Sequence, residues 1–142
     1  MSDSRVLGLD PGERRIGVAL SDPLGIIASP FTVIDRRTEN LAKRLRELCA
    51  EYDVGTIVVG LPVSLSGTEG AAADKARSFG DEVRAITGQE VVFADERFTS
   101  VQAERLLVDD GMRRSKRRHT TDKVAAALML QGYLDRARRE ET

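Results

Sequence analysis

Hydrophobic and polar residues follow two kinds of pattern along this chain. One kind is typical of strands and the other is typical of helices. Residues 5–10 and 15–21 are apolar runs joined by a polar turn, and a third run covers residues 25–34. These runs predict three strands, and such short turns join only antiparallel neighbours. Pro30 predicts an edge position for the third strand, because proline cannot donate a hydrogen bond to a neighbouring strand.

Helical and strand patterns alternate through the middle of the chain. Apolar residues spaced three and four apart predict helices at about residues 39–53 and 69–86, and Gly88 marks the end of the second. Runs rich in β-branched residues at 54–60 and 89–95 predict two more strands. The first of these contains hardly a polar residue, which is typical of a central strand buried on both faces.

Two further helices are predicted near the end of the chain. A capping-box pattern that begins at Thr99 predicts a helix to about residue 110. Residues 112–119 are interpreted as a loop, followed by a last helix from about residue 121 to 138. The order β-β-β-α-β-α-β-α-α predicts an α/β fold, with a mixed five-stranded sheet and helices on both faces. It matches the ribonuclease-H-like architecture, and residues 1–142 suffice for one such domain.

Composition narrows the class of protein. The hydrophobic fraction of 41% and the charged fraction of 32% are ordinary for a soluble globular protein, and no apolar run approaches the length of a membrane span. The residues before the first strand lack the apolar core of a signal peptide. Cys49 is the only cysteine, which excludes an internal disulfide and disfavours a zinc site. We therefore expect a cytoplasmic protein with no membrane partner.

Basic residues are concentrated in one short segment, although the formal net charge is only −1. Residues 112–119, MRRSKRRH, carry five cations and no acid, and we call these five the basic cluster: Arg113, Arg114, Lys116, Arg117 and Arg118. A solvated loop is the simpler explanation, but five cations without an acid would repel one another for no gain, which favours binding to phosphates. His119 at its end is a polar loop residue or, as a less favoured interpretation, a proton shuttle.

Acidic residues lie at three predicted boundaries. Asp10 ends the first strand, Asp95 and Glu96 end the last strand, and Asp122 lies in the first turn of the last helix. Sites in α/β sheets form where strand ends and loops converge, and carboxylates that meet there repel one another unless a cation lies among them. Oxygen ligands favour Mg²⁺ or Mn²⁺. Two such ions, about 4 Å apart, can activate water and stabilise the leaving oxygen of a phosphodiester.

Each acid also has a simpler structural explanation. Asp10 with the Pro-Gly that follows is a common turn sequence, and an acid near a helix start suits the helix dipole. Alternation along a strand allows only one of Asp95 and Glu96 to face the site, and the spacing does not decide which.

Three residues near the acids are candidate substrate contacts. Gly12 would let the backbone approach a metal ion or a phosphate closely. Arg97 and Thr99 could orient a phosphate, although helix capping explains Thr99 equally well. The alanines at 125–127 predict that the last helix packs close to the sheet, which would bring Asp122 toward the site.

Four blocks of sequence, in order over about residues 5–135, resemble the YqgF family, also called RuvX. Ser64 stands where the family pattern leads us to expect Asn, which puts a substrate contact from that side chain in doubt. The blocks are Asp10-Pro11-Gly12 with Arg15-Ile16-Gly17-Val18-Ala19, Val59-Gly60-Leu61-Pro62 with Gly67-Thr68-Glu69, Asp95-Glu96-Arg97 with Thr99, and Asp122 with Ala125-Ala126.

The resemblance implies a ribonuclease-H-like fold related to the Holliday junction resolvase RuvC. It implies a nuclease that trims the 5′ end of pre-16S rRNA in ribosome biogenesis, with cleavage of Holliday junctions as the alternative. It further implies that Asp10, Glu96 and Asp122 hold two Mg²⁺ or Mn²⁺ ions, with Asp95 secondary. The expected partners are structured RNA of the pre-ribosome or branched DNA, and the expected state is a monomer or a weak homodimer.

Two other classes of function stay open. Asp10 and Gly12, followed by Gly17, also resemble the phosphate loop of actin-like kinases and ATPases, but those proteins close two lobes around a nucleotide. A non-catalytic module could instead bind RNA through the basic cluster, with strong salt dependence and no need for magnesium.

Overall fold

The computed structural model describes residues 4–61, 70–95 and 114–141 of the chain. Within these ranges it contains five strands and three helices, and the helix predicted at about 99–110 lies outside the described residues. The elements are β1 (Arg5–Pro11), β2 (Arg15–Ser21), β3 (Ala28–Asp35), α1 (Leu41–Glu51), β4 (Val54–Leu61), α2 (Ala71–Thr87), β5 (Glu90–Asp95) and α3 (Arg114–Glu141).

The five strands form one mixed sheet in the order β3-β2-β1-β4-β5. The pairs β1–β2 and β2–β3 are antiparallel, as their short turns require, whereas β1–β4 and β4–β5 are parallel and are joined through helices. The predicted mixed five-stranded α/β fold is confirmed. Pro30 does lie on an edge strand, and the register between β2 and β3 shifts beside it.

Side-chain alternation divides the sheet into two packed faces. Leu7 and Leu9 of β1 belong to a large core beneath α1 and α2. On the other face, a Cβ added at Gly8 would lie 3.0 Å from the Cβ of Leu130, which belongs to α3. The cores of both faces are built from apolar side chains of strands and helices. The helices therefore cover both faces, as the sequence predicts, with α1 and α2 on one and α3 on the other.

The ends of α1 and α2 follow local sequence signals. The Asn40 side chain accepts a hydrogen bond from the Lys43 amide at 3.0 Å and caps α1. Gly88 ends α2 in the left-handed conformation, with φ of 70°, and its amide donates to the carbonyl of Arg84.

The last helix starts earlier than predicted. α3 begins at Arg114, so the basic cluster from that residue onward is helical and not a loop, and Asp122 lies well beyond the first turn. Arg and Lys have high helix propensity, and repulsion between like charges one turn apart costs only a few tenths of a kcal/mol per pair. In the described parts of the chain, no helix is long and apolar enough to cross a membrane.

The turn between β2 and β3 leads to a pH-dependent prediction. One carboxylate oxygen of Asp22 accepts hydrogen bonds from the amides of Ile27 at 2.8 Å and Ile26 at 2.7 Å. These hydrogen bonds lower the pKa of Asp22 below its ordinary value of 3.8, and the bond from Ile27 has the largest effect. Because the folded pKa is lowered, the carboxylate stabilises the fold above pH 3.8 and this stabilisation is lost as the pH falls through the folded pKa.

We therefore expect Asp22→Ala to lower the melting temperature at neutral pH. The difference from wild type should shrink at acidic pH, where Asp22 is protonated in both states. Melting curves by circular dichroism across this pH range check it, and a difference that stays constant would contradict the assigned role of the charge.

Candidate metal site at the end of the sheet

Asp10 lies near the end of β1, on the face that α3 covers. It pairs with Gly17 of β2 in the antiparallel ladder. Gly8, two residues earlier in β1, lies against Leu130 of α3, and residues two apart on a strand share a face. The backbone therefore puts Asp10 and Gly17 side by side on the α3 face of the sheet.

Gly17 lets α3 approach this position closely. A Cβ added at Gly17 would overlap the carbonyl oxygen of Asp122 and would lie 2.6 Å from its carbonyl carbon. The helix backbone thus lies directly against β2, and Asp122 lies beside the Asp10–Gly17 pair. The predicted close packing by the alanines at 125–127 is confirmed, because all three are buried. Two of the three proposed metal-binding acids, Asp10 and Asp122, are therefore at the same end of the same face.

Arg15 brings a positive charge to Asp122. Its Nε lies 2.9 Å from Oδ2 of Asp122, and each of the two side chains is 30% exposed. Arg15 precedes Gly17 by two residues on β2, so both belong to the α3 face. Arg15 lies within the first family block of the sequence, which assigns it no role. The signal in the sequence was that Arg15 and Gly17 are two residues apart and therefore face the same side of β2. The contact with Asp122 itself depends on how α3 packs.

The described donors fit a hard divalent cation. Asp10 and Asp122 provide carboxylate oxygens, which suit Mg²⁺ or Mn²⁺ better than zinc. The described ranges alone hold no group of three or more His, Cys, Asp and Glu side chains that could ligate a metal. Glu96, the third predicted ligand, lies outside those ranges. Asp95 is the last residue of β5, where it pairs with Leu61 of β4.

The other predicted contacts are only partly within the described chain. Like Glu96, the residues Arg97, Thr99 and Arg113 lie outside the described ranges. The backbone of Arg114, Lys116, Arg117, Arg118 and His119 forms the first turns of α3.

Gly12 lies in the turn between β1 and β2. Its amide donates to the carbonyl of Arg15 at 2.9 Å, and a Cβ there would lie 2.8 Å from that oxygen. The turn itself therefore requires glycine, which supports the structural explanation of this residue.

A separate cleft of about 730 Å³ lies on the α1 and α2 side of the sheet. Its lining includes Pro11, Arg36, Phe79 and Glu82, and the side chains of Arg36 and Glu82 form an ion pair at 3.3 Å. The residues described as lining it include neither Asp10 nor Asp122. Its volume therefore plays no part in the candidate metal site.

Comparison with solved structures defines the class of fold. The structure is similar to Thermus thermophilus RuvC in complex with a Holliday junction substrate, with a TM-score of 0.59, 18% identity and coverage of 96% of both chains. A second Thermus thermophilus RuvC structure matches with a TM-score of 0.54 and 19% identity over the same share of each chain. The chain therefore has the ribonuclease-H-like fold of RuvC.

Sequence comparison then identifies the family. The family model described as "RuvX: Holliday junction resolvase" matches residues 4–136, and the chain belongs to that family. A Clostridium botulinum protein named "Putative pre-16S rRNA nuclease" is 44% identical over 132 residues, covering 92% of this chain and 96% of its own. A relative of the same name from another strain is 46% identical over 133 residues, covering 93% and 97%.

Proposed function

We propose that this protein is a metal-dependent endonuclease that hydrolyses phosphodiester bonds near the 5′ end of pre-16S rRNA. The observation that carries the proposal is the placement of Asp10 and Asp122 at one end of the α3 face, in a chain of the RuvX family. The 44–46% identical relatives named for this nuclease support the choice of RNA. The proposal includes a single domain over residues 1–142 that acts in the cytoplasm.

Asp10, Glu96 and Asp122 are the proposed ligands of Mg²⁺ or Mn²⁺. When bound, these ions supply activation of a water molecule and stabilisation of the charge on the leaving oxygen. The choice of Glu96 over Asp95 rests on the family resemblance, which places the metal-binding acid at that position. The proposed role of the three carboxylates is to fix the positions of the cations relative to the phosphodiester.

The basic cluster is the proposed contact for the phosphates that flank the cleaved bond. Arg118 precedes Asp122 by four residues of α3, about one helical turn, so the helical backbone leads from the cluster to the acids. Gly12, Arg97 and Thr99 remain proposed substrate contacts next to the acids, and His119 stays a secondary candidate.

Cleavage of four-way DNA junctions is the second candidate, because the matching family model is described as a Holliday junction resolvase. Symmetric cleavage of a junction needs two active sites, and therefore a dimer. The oligomeric state, measured with and without junction DNA, bears directly on this candidate, because a protein that stays monomeric on the junction would count against it.

The deciding experiment incubates the protein with a pre-16S rRNA 5′ leader and, in parallel, with a four-way DNA junction. Each reaction is run in magnesium, in EDTA and with Asp10→Asn. Cleavage of the leader alone, lost in EDTA and in the variant, is the expected result. Paired cuts in the junction alone would favour the resolvase, and binding to RNA without cleavage would favour the non-catalytic module.

A further inference from the structure

The ion pair between Arg15 and Asp122 lies inside the candidate metal site. Oδ2 of Asp122, the atom 2.9 Å from the Arg15 Nε, is buried, whereas the side chain as a whole is 30% exposed. The exposed area of Asp122 therefore belongs to its other atoms. One carboxylate oxygen is buried beside a partly exposed arginine, and the exposed area lies on the other side-chain atoms of Asp122.

The backbone fixes both partners of this ion pair. Arg15 begins β2, pairs with Asp35 of β3, and accepts a hydrogen bond from the Gly12 amide through its carbonyl. Asp122 is fixed by the contact of its backbone with Gly17. An exposed ion pair between two mobile side chains contributes little, but here the two backbones already set the geometry.

We propose that Arg15 is a positioning residue for the metal site. It holds the buried Oδ2 of Asp122 and thereby orients the other carboxylate oxygen for a divalent cation. The inference rests on the proposed function, because it takes Asp122 to be a metal ligand. Partners that hydrogen-bond or pair with a ligating carboxylate fix its orientation, and their loss costs about 10- to 100-fold in metal affinity.

The alternative role for Arg15 predicts the opposite effect on metal affinity. An arginine that only neutralises Asp122 would compete with the metal ion, so its removal would tighten metal binding. The burial of the oxygen that faces Arg15 favours positioning, because a cation that arrives from solvent does not meet Oδ2 directly and so does not compete with Arg15 for that atom.

Arg14 provides a matched control. This neighbouring arginine makes a two-pronged contact with Asp35, through Nε at 3.1 Å and Nη2 at 3.0 Å to the same oxygen. Arg14→Gln removes the same charge and a comparable ion pair from the same turn, but it leaves the Asp122 side chain alone. It reports how much of any effect comes from net charge or from general loosening of the turn.

The test measures the Mn²⁺ dissociation constant, by electron paramagnetic resonance or calorimetry, with the full-length protein and no substrate. We expect Arg15→Gln to raise it about tenfold, Arg15→Lys to raise it less, and Arg14→Gln to leave it within about twofold. In the Asp122→Asn background, Arg15→Gln should add no further loss, because its effect acts through Asp122. Melting curves confirm that each variant is folded.

The outcomes separate this inference from the proposed function. If Asp10→Asn and Asp122→Asn bind Mn²⁺ as tightly as wild type, the metal site itself is wrong. If both acids matter but Arg15→Gln binds Mn²⁺ as well as or better than wild type, only the role of Arg15 is overturned. An equal loss in Arg14→Gln and Arg15→Gln would also overturn it.

Discussion

Asp10→Asn and Asp122→Asn should each lower the rate of metal-dependent RNA cleavage by about a thousandfold. Charge stabilisation by a catalytic metal ion supplies several kcal/mol, and each 1.36 kcal/mol corresponds to a factor of about ten in rate. Asparagine keeps the size of the side chain but loses the charge that attracts the cation. Single-turnover cleavage assays with enzyme in excess check this, at magnesium concentrations high enough to test for rescue.

Controls for this prediction come from two other acids and from the third proposed ligand. Asp81 on α2 has a side chain that is 75% exposed, so Asp81→Asn should cleave at the wild-type rate. Glu96→Gln should match the two catalytic variants, whereas Asp95→Asn should lose much less. Cleavage that survives the removal of any of the three proposed ligands would contradict the three-carboxylate site.

The fold was predictable where local sequence decides it. The predicted bounds of β2, 15–21, agree with the structure, because apolar residues there are flanked by turn signals. Pro30 identified the edge strand, and Gly88 identified the end of α2, because each has a backbone property that few positions accept. These signals act within a few residues and need no knowledge of tertiary packing.

The start of α3 was not predictable by the same means. Five cations within residues 112–119 were interpreted as a phosphate-binding loop, and the last helix was expected only from about residue 121, beside Thr120 and Thr121. The helix instead begins at Arg114 and continues through the threonines, because long basic side chains tolerate a helix well. Charge density alone therefore indicated a candidate binding segment but led to the wrong backbone conformation, a loop instead of a helix.

The candidate site was likewise predictable only where local sequence decides it. Position at the end of a strand was enough to single out Asp10. Asp122 was singled out as a residue in the first turn of the last helix, although the helix begins eight residues earlier at Arg114. The contact between Arg15 and Asp122 joins residues at opposite ends of the chain, so it exists only because Gly17 lets α3 lie against β2. The sequence alone does not say which element lies against Gly17 or which residue that element brings.

Gly17→Ala should therefore damage stability and the metal site together. The added Cβ meets the backbone of Asp122 and not a flexible side chain, so α3 must move away from β2. Overpacking of this kind costs about 1–3 kcal/mol, and we expect the free energy of unfolding to fall by about 2 kcal/mol. Because the displaced segment carries Asp122, Mn²⁺ affinity should fall as well, even at temperatures where the variant is fully folded.

Gly132→Ala is the matched control in the same helix. Nothing lies within 4 Å of a Cβ added at Gly132, so alanine there should stabilise α3 by about 0.5–1 kcal/mol and leave Mn²⁺ binding unchanged. Urea unfolding and Mn²⁺ titration of both variants check the pair. If Gly17→Ala were as stable as wild type and bound Mn²⁺ equally well, α3 would not be seated on β2, and the juxtaposition of Asp10 with Asp122 would lose its structural basis.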